Sequence, residues 1–459
     1  MKLHVIVLAA GKGSRMKSNI PKVLHPIAGQ PMLHRVLATA NTLAPAQIKL
    51  VLGHGREIIE QSLTDANSTN VVIQEEQLGT GHAVSLALDN IPDDSISLVL
   101  YGDVPLISKQ TLQTCVEAAR QQGLGVVTAK VADPAELGRI LRNDQGSIEA
   151  IVEYKDATDE QRMIDEINSG ILAAPTSLLR GWLSDLKTDN TQGEYYLTDV
   201  IAMSVADQVP VTGIVAKDET EVLGINDRIQ LAQAERIYQR QQAHALMQAG
   251  VTFADPERVD VRGQLHCGTD CFIDVNTVFI GEVTLGDNVV VASCSVVEDS
   301  VIGDSVTIAP NTVVEGAMVG DHCNLGPFAR IRPGSTFAEG VKVGNFVETK
   351  KVELGPGVKA SHLTYLGDAS IGRETNIGAG TVTCNYDGVD KHRTVIGDDA
   401  FIGTNSTLVA PVEIGNRAFV AAGSTVTSKV DDEALAVGRA RQRVIKKWIS
   451  PTRRKQPSD

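Results

Sequence analysis

From about Val278 to Val426 an aliphatic residue followed by glycine keeps returning: Ile302-Gly303, Val319-Gly320, Leu325-Gly326, Val343-Gly344, Ile371-Gly372, Ile377-Gly378, Ile396-Gly397, Ile402-Gly403 and Ile414-Gly415. The steps 319→325, 371→377 and 396→402 are six residues, 402→414 is twelve, 325→343 is eighteen, and 302→319 is one short of eighteen. A period of six is neither helical nor a strand alternation. It predicts a parallel β-helix in which each hexad is one side of a coil. One aliphatic per hexad points inward, glycine or a small polar residue turns the corner, and the coils must stack to bury their faces.

Residues 1 to about 227 carry a different pattern. Short apolar runs at Val5–Ala9, Ile48–Leu52, Val71–Ile73, Ser97–Leu100 and Gly125–Lys130 alternate with helical stretches such as Met32–Thr42 and Gly81–Asp89. This predicts βαβ units on a mainly parallel sheet with helices on both faces. Residues 228–248 read as one long connecting helix ending near Gly250, with a partial apolar stripe of Ile229, Ala232, Ile237 and Leu246. The chain therefore divides into 1–227, 228–248 and 249–459.

In such sheets ligands bind beyond the carboxyl ends of the strands. After the first strand comes Leu8-Ala9-Ala10-Gly11-Lys12-Gly13-Ser14-Arg15-Met16, then Pro21-Lys22. The glycines let backbone approach a phosphate, and Lys12, Arg15 and Lys22 supply charge. It is neither a Rossmann fingerprint, since Met16 replaces the third glycine, nor a Walker A loop. After the third strand, Gln74-Glu75-Glu76-Gln77-Leu78-Gly79-Thr80-Gly81 suits a base edge and ribose, or is a plain helix start capped by Thr80. After the fourth, Tyr101-Gly102-Asp103-Val104-Pro105 places a carboxylate where a metal at a phosphoryl site would stand. Gly138-Arg139, Glu153, Asn168-Ser169-Gly170 and Asn226-Asp227 follow, and Asn226 competes as a helix cap.

Some residues of the hexad region do not belong in a simple repeat: Arg330, Arg332, Glu348, Lys350, His362, Tyr365, Asn376, and Cys384-Asn385-Tyr386-Asp387. Arg332 and Lys350 are eighteen apart, which predicts two stacked cations and an anion site; His362, twelve beyond Lys350, falls on another side of the prism. Residues 384–394 break the spacing and predict a projecting loop. A histidine among such groups suits a general base, because it titrates near neutral pH. Glu348 is a candidate to orient it.

The motifs L-A-A-G-x-G-S-R-M, P-K, Q-x-x-x-L-G-T and Y-G-D-V-P resemble those of the sugar-1-phosphate nucleotidylyltransferases. Joined to a hexapeptide β-helix, nearly the whole chain resembles the bacterial bifunctional N-acetylglucosamine-1-phosphate uridylyltransferase / glucosamine-1-phosphate N-acetyltransferase family. The resemblance implies a Rossmann-like α/β nucleotidylyltransferase domain, mainly parallel, followed by a left-handed parallel β-helix of hexapeptide repeats. It implies acetyl-CoA-dependent N-acetylation of glucosamine 1-phosphate, then Mg²⁺-dependent uridylyl transfer from UTP to N-acetylglucosamine 1-phosphate. The product would feed peptidoglycan and lipid A synthesis. By the same resemblance Leu8, Ala9, Ala10, Gly11, Gln74, Gly79 and Thr80 hold the nucleotide, and Arg15 and Lys22 its phosphates. Tyr101, Gly102, Gly138, Glu153 and Asn168 line the sugar site, and Asp103 and Asn226 bind Mg²⁺. His362 is the acetyl-transfer base. Arg332, Lys350, Tyr365 and Asn376 bind the amino sugar phosphate, and Ala379, Asn385, Tyr386, Thr404, Ala422 and Arg439 contact acetyl-CoA. Relatives often carry serine where Thr404 stands, and the hydroxyl is kept. The family assembles as homotrimers with acetyl-CoA between subunits.

Composition narrows the picture further. At 42% hydrophobic and only 4% aromatic, the chain can build cores and suits a thin β-helix interior. A net charge of −14 opposes nucleic acid or an anionic membrane as partner. No segment reads as a transmembrane span, and the apolar N-terminus runs into the glycine loop without a cleavage site, so it is expected as a strand, not a signal. Cysteines at 115, 267, 271, 294, 323 and 384 fit free thiols in a reducing cytoplasm. His266, Cys267 and Cys271 lack a second pair at zinc spacing and read as packing residues. Arg439 to Lys455 is a basic tail whose first part would meet CoA phosphates. Two competing readings are a single-activity nucleotidylyltransferase with an oligomerising β-helix and a non-catalytic scaffold. His362 with Arg332 and Lys350 opposes the first; Gly11–Arg15, Lys22 and Asp103 oppose the second.

Overall fold

The structure is a computed structural model and describes residues 1–63, 69–121 and 123–451. Its contacts divide it into two compact units, Met1–Gln242 and Ala243–Asp459. Helix Arg228–Gln248 runs through that division, and its buried positions are Ala234, Gln239 and Ala243. Ile229 and Ala232 of the expected stripe are exposed instead. Arg453, Arg454 and Lys455 of the basic tail lie outside the described residues.

The first unit is built on a twisted sheet whose strands run, side by side, Val211–Val215, Leu124–Lys130, Glu166–Pro175, Ile96–Tyr101, Leu3–Ala9, Gln47–Leu52 and Thr69–Ile73. All neighbours in this row pair in parallel except Glu166–Pro175, which is antiparallel to the strands on either side of it. The five strands predicted are all present, each within two residues of its expected ends. They are near-continuous runs of Val, Ile and Leu because both faces are covered. The antiparallel strand escaped the sequence pattern. Its register shifts between Asn168 and Leu172, a bulge containing Gly170 at φ 81°. Bulges of this kind re-aim a side chain, here Asn168.

The second unit is a parallel β-helix whose short strands extend from Thr252–Phe253 to Leu435–Ala436, beyond both ends of the repeat seen in sequence. Successive coils stack in register, as in Asn324↔Lys342↔Lys359↔Asn376↔Phe401. The interior consists of aliphatic ladders; Ile308, Leu325, Val343, Ala360, Ile377, Ile402 and Val420 form one, all buried. The aliphatic-glycine pair has a local cause. Asp304 Oδ1 accepts the N–H of Asp287 in the coil before, and Asp321 Oδ1 that of Asp304, at 2.8 Å each. The glycine beside each site leaves room for the incoming carboxylate, since a Cβ at Gly286 or Gly303 would collide with it. Between Asn376 and Phe401 the register step is 25 residues, so the extra chain leaves the prism as the loop expected near 384–394.

Candidate active sites

At the carboxyl ends of the first, third and fourth strands is a cavity of about 260 Å³. It is lined by Leu8, Ala9, Ala10, Gly11, Lys22, Gln74, Gly79, Thr80, Tyr101 and Asp103, with Gln77 and Glu194 added. Gly13 sits at φ 58°, and a Cβ there would come within 2.5 Å of Lys22 Cβ. That glycine is therefore what lets Lys22 lie against the loop. Lys22 Nζ donates to the Asp103 carboxylate and, at 3.1 Å, to Asn226 Oδ1. The two residues expected as metal ligands thus converge on one cation. Asn226 is not the helix cap: Asp227 Oδ1 accepts from Ile229 and Gln230 at 2.9 Å each, leaving the Asn226 amide oxygen for Lys22. Thr80 is not a cap either. It is the first helical residue, and its Oγ1 accepts from Leu197 N at 3.2 Å. Arg15 is exposed on a neighbouring groove that also includes Asn226.

The donor set can be tested against Mg²⁺. A carboxylate and an amide oxygen are hard donors, and Mg²⁺ takes few protein ligands, keeping waters and phosphate oxygens. Among the described residues no cluster of three His, Cys, Asp or Glu could hold a metal without such help. The pair fits Mg²⁺ carried with a phosphate; Cys267 and Cys271 belong to no such cluster.

The expected sugar-contacting residues form the adjoining wall. Asn168 N donates to Gly138 C=O at 2.9 Å, and Asn168 Oδ1 accepts from Gly170 N at 2.9 Å. The buried Arg139 guanidinium donates to the carbonyls of Pro134, Ala135 and Leu137, which fixes the loop presenting Gly138. Thr198 Oγ1 donates to Glu153 Oε1 at 3.3 Å. Burial pushes the Glu153 carboxyl up, with Thr198 opposing and Asp156 and Asp199 adding to the rise. Burial, with Asp103 and Glu153 nearby, also pushes the Tyr101 phenol well above its usual range, so it stays a neutral donor. Gly102 is buried and donates its N–H to Leu8 C=O at 2.9 Å. A Cβ at Gly170 would stand 2.6 Å from the Tyr101 ring. Gly170→Ala is therefore expected to cost about 1–3 kcal/mol and to raise KM for the sugar phosphate. Thermal unfolding and steady-state kinetics check this; wild-type values in both would remove Tyr101 from the sugar site.

On the β-helix, Arg332 N donates to Thr349 C=O, so Arg332 and Lys350 stack as the spacing predicts, and Lys350 pairs in turn with Gly367. Glu348 does not orient His362. Its Oε1 accepts from Arg332 Nη1 at 2.8 Å, and its register neighbour is Tyr365. Two polar interior groups of this face are satisfied: Thr349 Oγ1 meets Ser335 Oγ at 3.1 Å, and Thr383 Oγ1 accepts from Gly367 N at 2.8 Å. The projecting loop closes through a Tyr386↔Lys391 bridge and an Asp387–His392 contact at 2.7 Å. The His392 hydrogen bond and the N–H groups of Asp390 and Val389 hold the Asp387 carboxyl far below its usual range. Asn385 Nδ2 anchors the loop to Asp368.

That loop delivers Lys391, which the sequence reading missed. The Lys391 ammonium, and then Arg332, hold Lys350 below the ordinary lysine range. Three cations on one exposed face make a place for a dianion. Lys391→Ala is expected to raise KM for glucosamine 1-phosphate about tenfold with little change in KM for acetyl-CoA. Initial rates against each substrate decide it; an unchanged sugar KM would take Lys391 out of the site.

His362 lies on the adjacent sheet, paired with Asn345, and Asn376 lies on the same sheet. The His362 side chain is exposed, and its ring has no hydrogen bond to any described residue. From His362 a single corner continues along the prism. Asn405 N donates to Ala379 C=O at 2.7 Å, Gly423 N to Thr404 C=O at 2.8 Å, and Arg439 Nη1 to Ala422 C=O at 2.6 Å. Ala379, Thr404, Ala422 and Arg439 therefore form one lane of small side chains ending in a cation.

Fold and sites together define a nucleotidyltransferase unit followed by a hexapeptide-repeat acyltransferase unit. Residues 5–177 match the MobA-like NTP transferase domain family, 261–363 the GMPPB C-terminal domain, and 393–428 the bacterial transferase hexapeptide (six repeats). The bifunctional protein GlmU of Marinobacter nauticus is 53% identical over 98% of this chain and 99% of its own length. That of Alkalilimnicola ehrlichii is 52% identical over 98% of this chain and 97% of its own. Among solved structures, a UDP-glucose pyrophosphorylase complexed with UDP-glucose covers 52% of this chain and 100% of its own at 19% identity, TM-score 0.43. The chain belongs to the bifunctional GlmU family. It is an enzyme of UDP-N-acetylglucosamine synthesis with uridylyltransferase and glucosamine-1-phosphate acetyltransferase activities.

Proposed function

We propose that the two half-reactions are carried by the two clusters just described, with each expected residue in its assigned role. Glucosamine 1-phosphate is bound through its phosphate by Arg332, Lys350 and Lys391, with Tyr365 and Asn376 on the sugar. His362 takes a proton from the amine as nitrogen attacks the thioester carbon; the C–N bond forms, the C–S bond breaks, and CoA leaves as a thiol. Acetyl-CoA lies along Ala379, Thr404, Ala422 and Arg439, with Asn385 and Tyr386 beside it. His362 stands beside an exposed ladder of Phe328, Phe346 and Leu363, all at positive φ, and Phe328 stacks on Phe346 at 5.4 Å. Bulky residues in that conformation cost roughly 1–2 kcal/mol each. Such a ladder supports a homotrimer in which a neighbouring subunit covers this corner and completes the acetyltransferase site.

In the first unit Leu8–Gly11, Gln74, Gly79 and Thr80 hold the uridine nucleotide of UTP. Arg15 and Lys22 hold its phosphates, and Tyr101, Gly138, Glu153 and Asn168 orient N-acetylglucosamine 1-phosphate. The sugar-phosphate oxygen displaces pyrophosphate at the α-phosphorus, so no protein nucleophile is needed. Asp103 and Asn226 would hold Mg²⁺, which would supply positive charge where the two anions meet. The observation that carries this reading is the convergence of Asp103 and Asn226 on Lys22 Nζ beside the nucleotide cavity. Free cysteines at all six positions support a cytoplasmic location; among the described residues no helix is long and apolar enough to cross a membrane. The test is to follow thiol release from acetyl-CoA with glucosamine 1-phosphate and, in a separate assay, pyrophosphate release from UTP with N-acetylglucosamine 1-phosphate supplied directly. Loss of both from a folded variant altered in only one cluster would refute the division of labour.

A further inference from the structure

We propose that His82 is a positioning residue that makes the nucleotide site select uracil over cytosine. This rests on the reading of Gln74 as a base contact. Gln74 is 4% exposed and lines the cavity. Its Nε2 donates to Gly79 C=O at 3.1 Å, and the same nitrogen lies 3.2 Å from His82 Nδ1. A carbonyl only accepts, so Nε2 and not Oε1 must face Gly79. Both N–H groups of Nε2 are then used only if His82 Nδ1 accepts, which places the ring proton on its other nitrogen. Among the described residues none donates to Gln74 Oε1. What Gln74 offers a ligand is therefore an acceptor.

Uracil carries N–H at ring position 3, whereas cytosine carries a lone pair there. An amide oxygen held against that position pairs with uracil and repels cytosine, and a buried site left unpaired discriminates strongly. Without the His82 acceptor one N–H of Nε2 loses its partner, and the Gly79 carbonyl alone is left to hold the amide, so Oε1 is less firmly fixed against the base. His82 is itself well placed for this task. It lies in the first turn of helix Thr80–Leu88, whose start is fixed by Gly81 N donating to Tyr195 C=O at 2.8 Å and by Leu197 N donating to Thr80 Oγ1.

The test uses the full chain with Mg²⁺ and N-acetylglucosamine 1-phosphate, reading pyrophosphate release from UTP and from CTP. His82→Phe keeps a flat ring without the acceptor, and His82→Ala removes the ring in case the larger side chain packs badly. Each is expected to lower the UTP-over-CTP ratio of kcat/KM about tenfold, through KM for UTP more than kcat. His82→Gln, whose amide oxygen can accept from Nε2, is expected to restore most of the ratio. An unchanged ratio in both His82→Phe and His82→Ala, with UTP and CTP rates falling in parallel, overturns the proposal. Gln74→Ala separates the two levels. If it lowers the ratio while the His82 variants do not, only the role of His82 fails. If it leaves the ratio unchanged, the base contact itself is wrong.

Discussion

His362→Ala is expected to lower thiol release from acetyl-CoA by about 10²–10⁴-fold, the usual worth of a general base. Pyrophosphate release from UTP and N-acetylglucosamine 1-phosphate should stay at its wild-type rate. The large effect follows from chemistry. The attacking amine must lose a proton, and the imidazole at the head of the Ala379–Thr404–Ala422 lane is exposed and has no hydrogen bond to any described residue. Glu348 does not orient this ring, because it is committed to Arg332 at 2.8 Å. Because His362 is exposed, its removal leaves no cavity, and little change in thermal stability is expected. Added small amines that restore thiol release would identify the lost function as proton transfer.

Asp103→Ala should have the complementary effect. Pyrophosphate release is expected to fall by about 10²–10³-fold, with a higher Mg²⁺ concentration needed for half-maximal rate. Two charges are disturbed at once. The variant removes a carboxylate oxygen from the cation site, and it leaves the Lys22 ammonium with Asn226 Oδ1 alone. Lys22 and Asp103 have side chains only 13% and 18% exposed, so the unbalanced charge is poorly screened. Asp103→Asn preserves shape and separates the two effects, since it keeps an oxygen and loses the charge. A Mg²⁺ titration of each variant measures the outcome; an unaltered Mg²⁺ dependence in Asp103→Ala would place the cation elsewhere. Thiol release should be unaffected in both.

Much of the first site could be read from the chain because a parallel sheet collects its strand-end loops, and the informative residues directly follow the strands. Leu8–Gly11, Gln74, Gly79, Thr80, Tyr101 and Asp103 all line one cavity for that reason. The glycine repeat announced the prism equally directly, since close coil stacking has few solutions. What escaped depends on side-chain direction. The choice of Asp227 over Asn226 as cap, the commitment of Glu348 to Arg332, and the use of both Gln74 donors are decided by rotamers that spacing does not encode. The lane from His362 to Arg439 was hidden because coil lengths vary, with register steps of 17, 18 and 25 residues interrupting any fixed period. Lys391 was missed because it sits in the inserted loop and reaches Lys350 only when that loop folds back. Cys267-Gly268 and Leu285-Gly286 precede the later pairs by steps of eighteen and seventeen residues, so the same coil spacing continues upstream of Val278, where the repeat was first read.

The central claim is that one chain holds two separate active sites, the acetylated sugar phosphate made at one being the substrate of the other. It is tested most directly by mixing His362→Ala with Asp103→Ala and supplying glucosamine 1-phosphate, acetyl-CoA, UTP and Mg²⁺. Each variant alone should make almost no UDP-N-acetylglucosamine. The mixture should recover it, because Asp103→Ala acetylates and His362→Ala transfers the uridylyl group. A mixture as inactive as its components, with both proteins folded and each retaining its own half-reaction, would contradict transfer of the intermediate between independent sites.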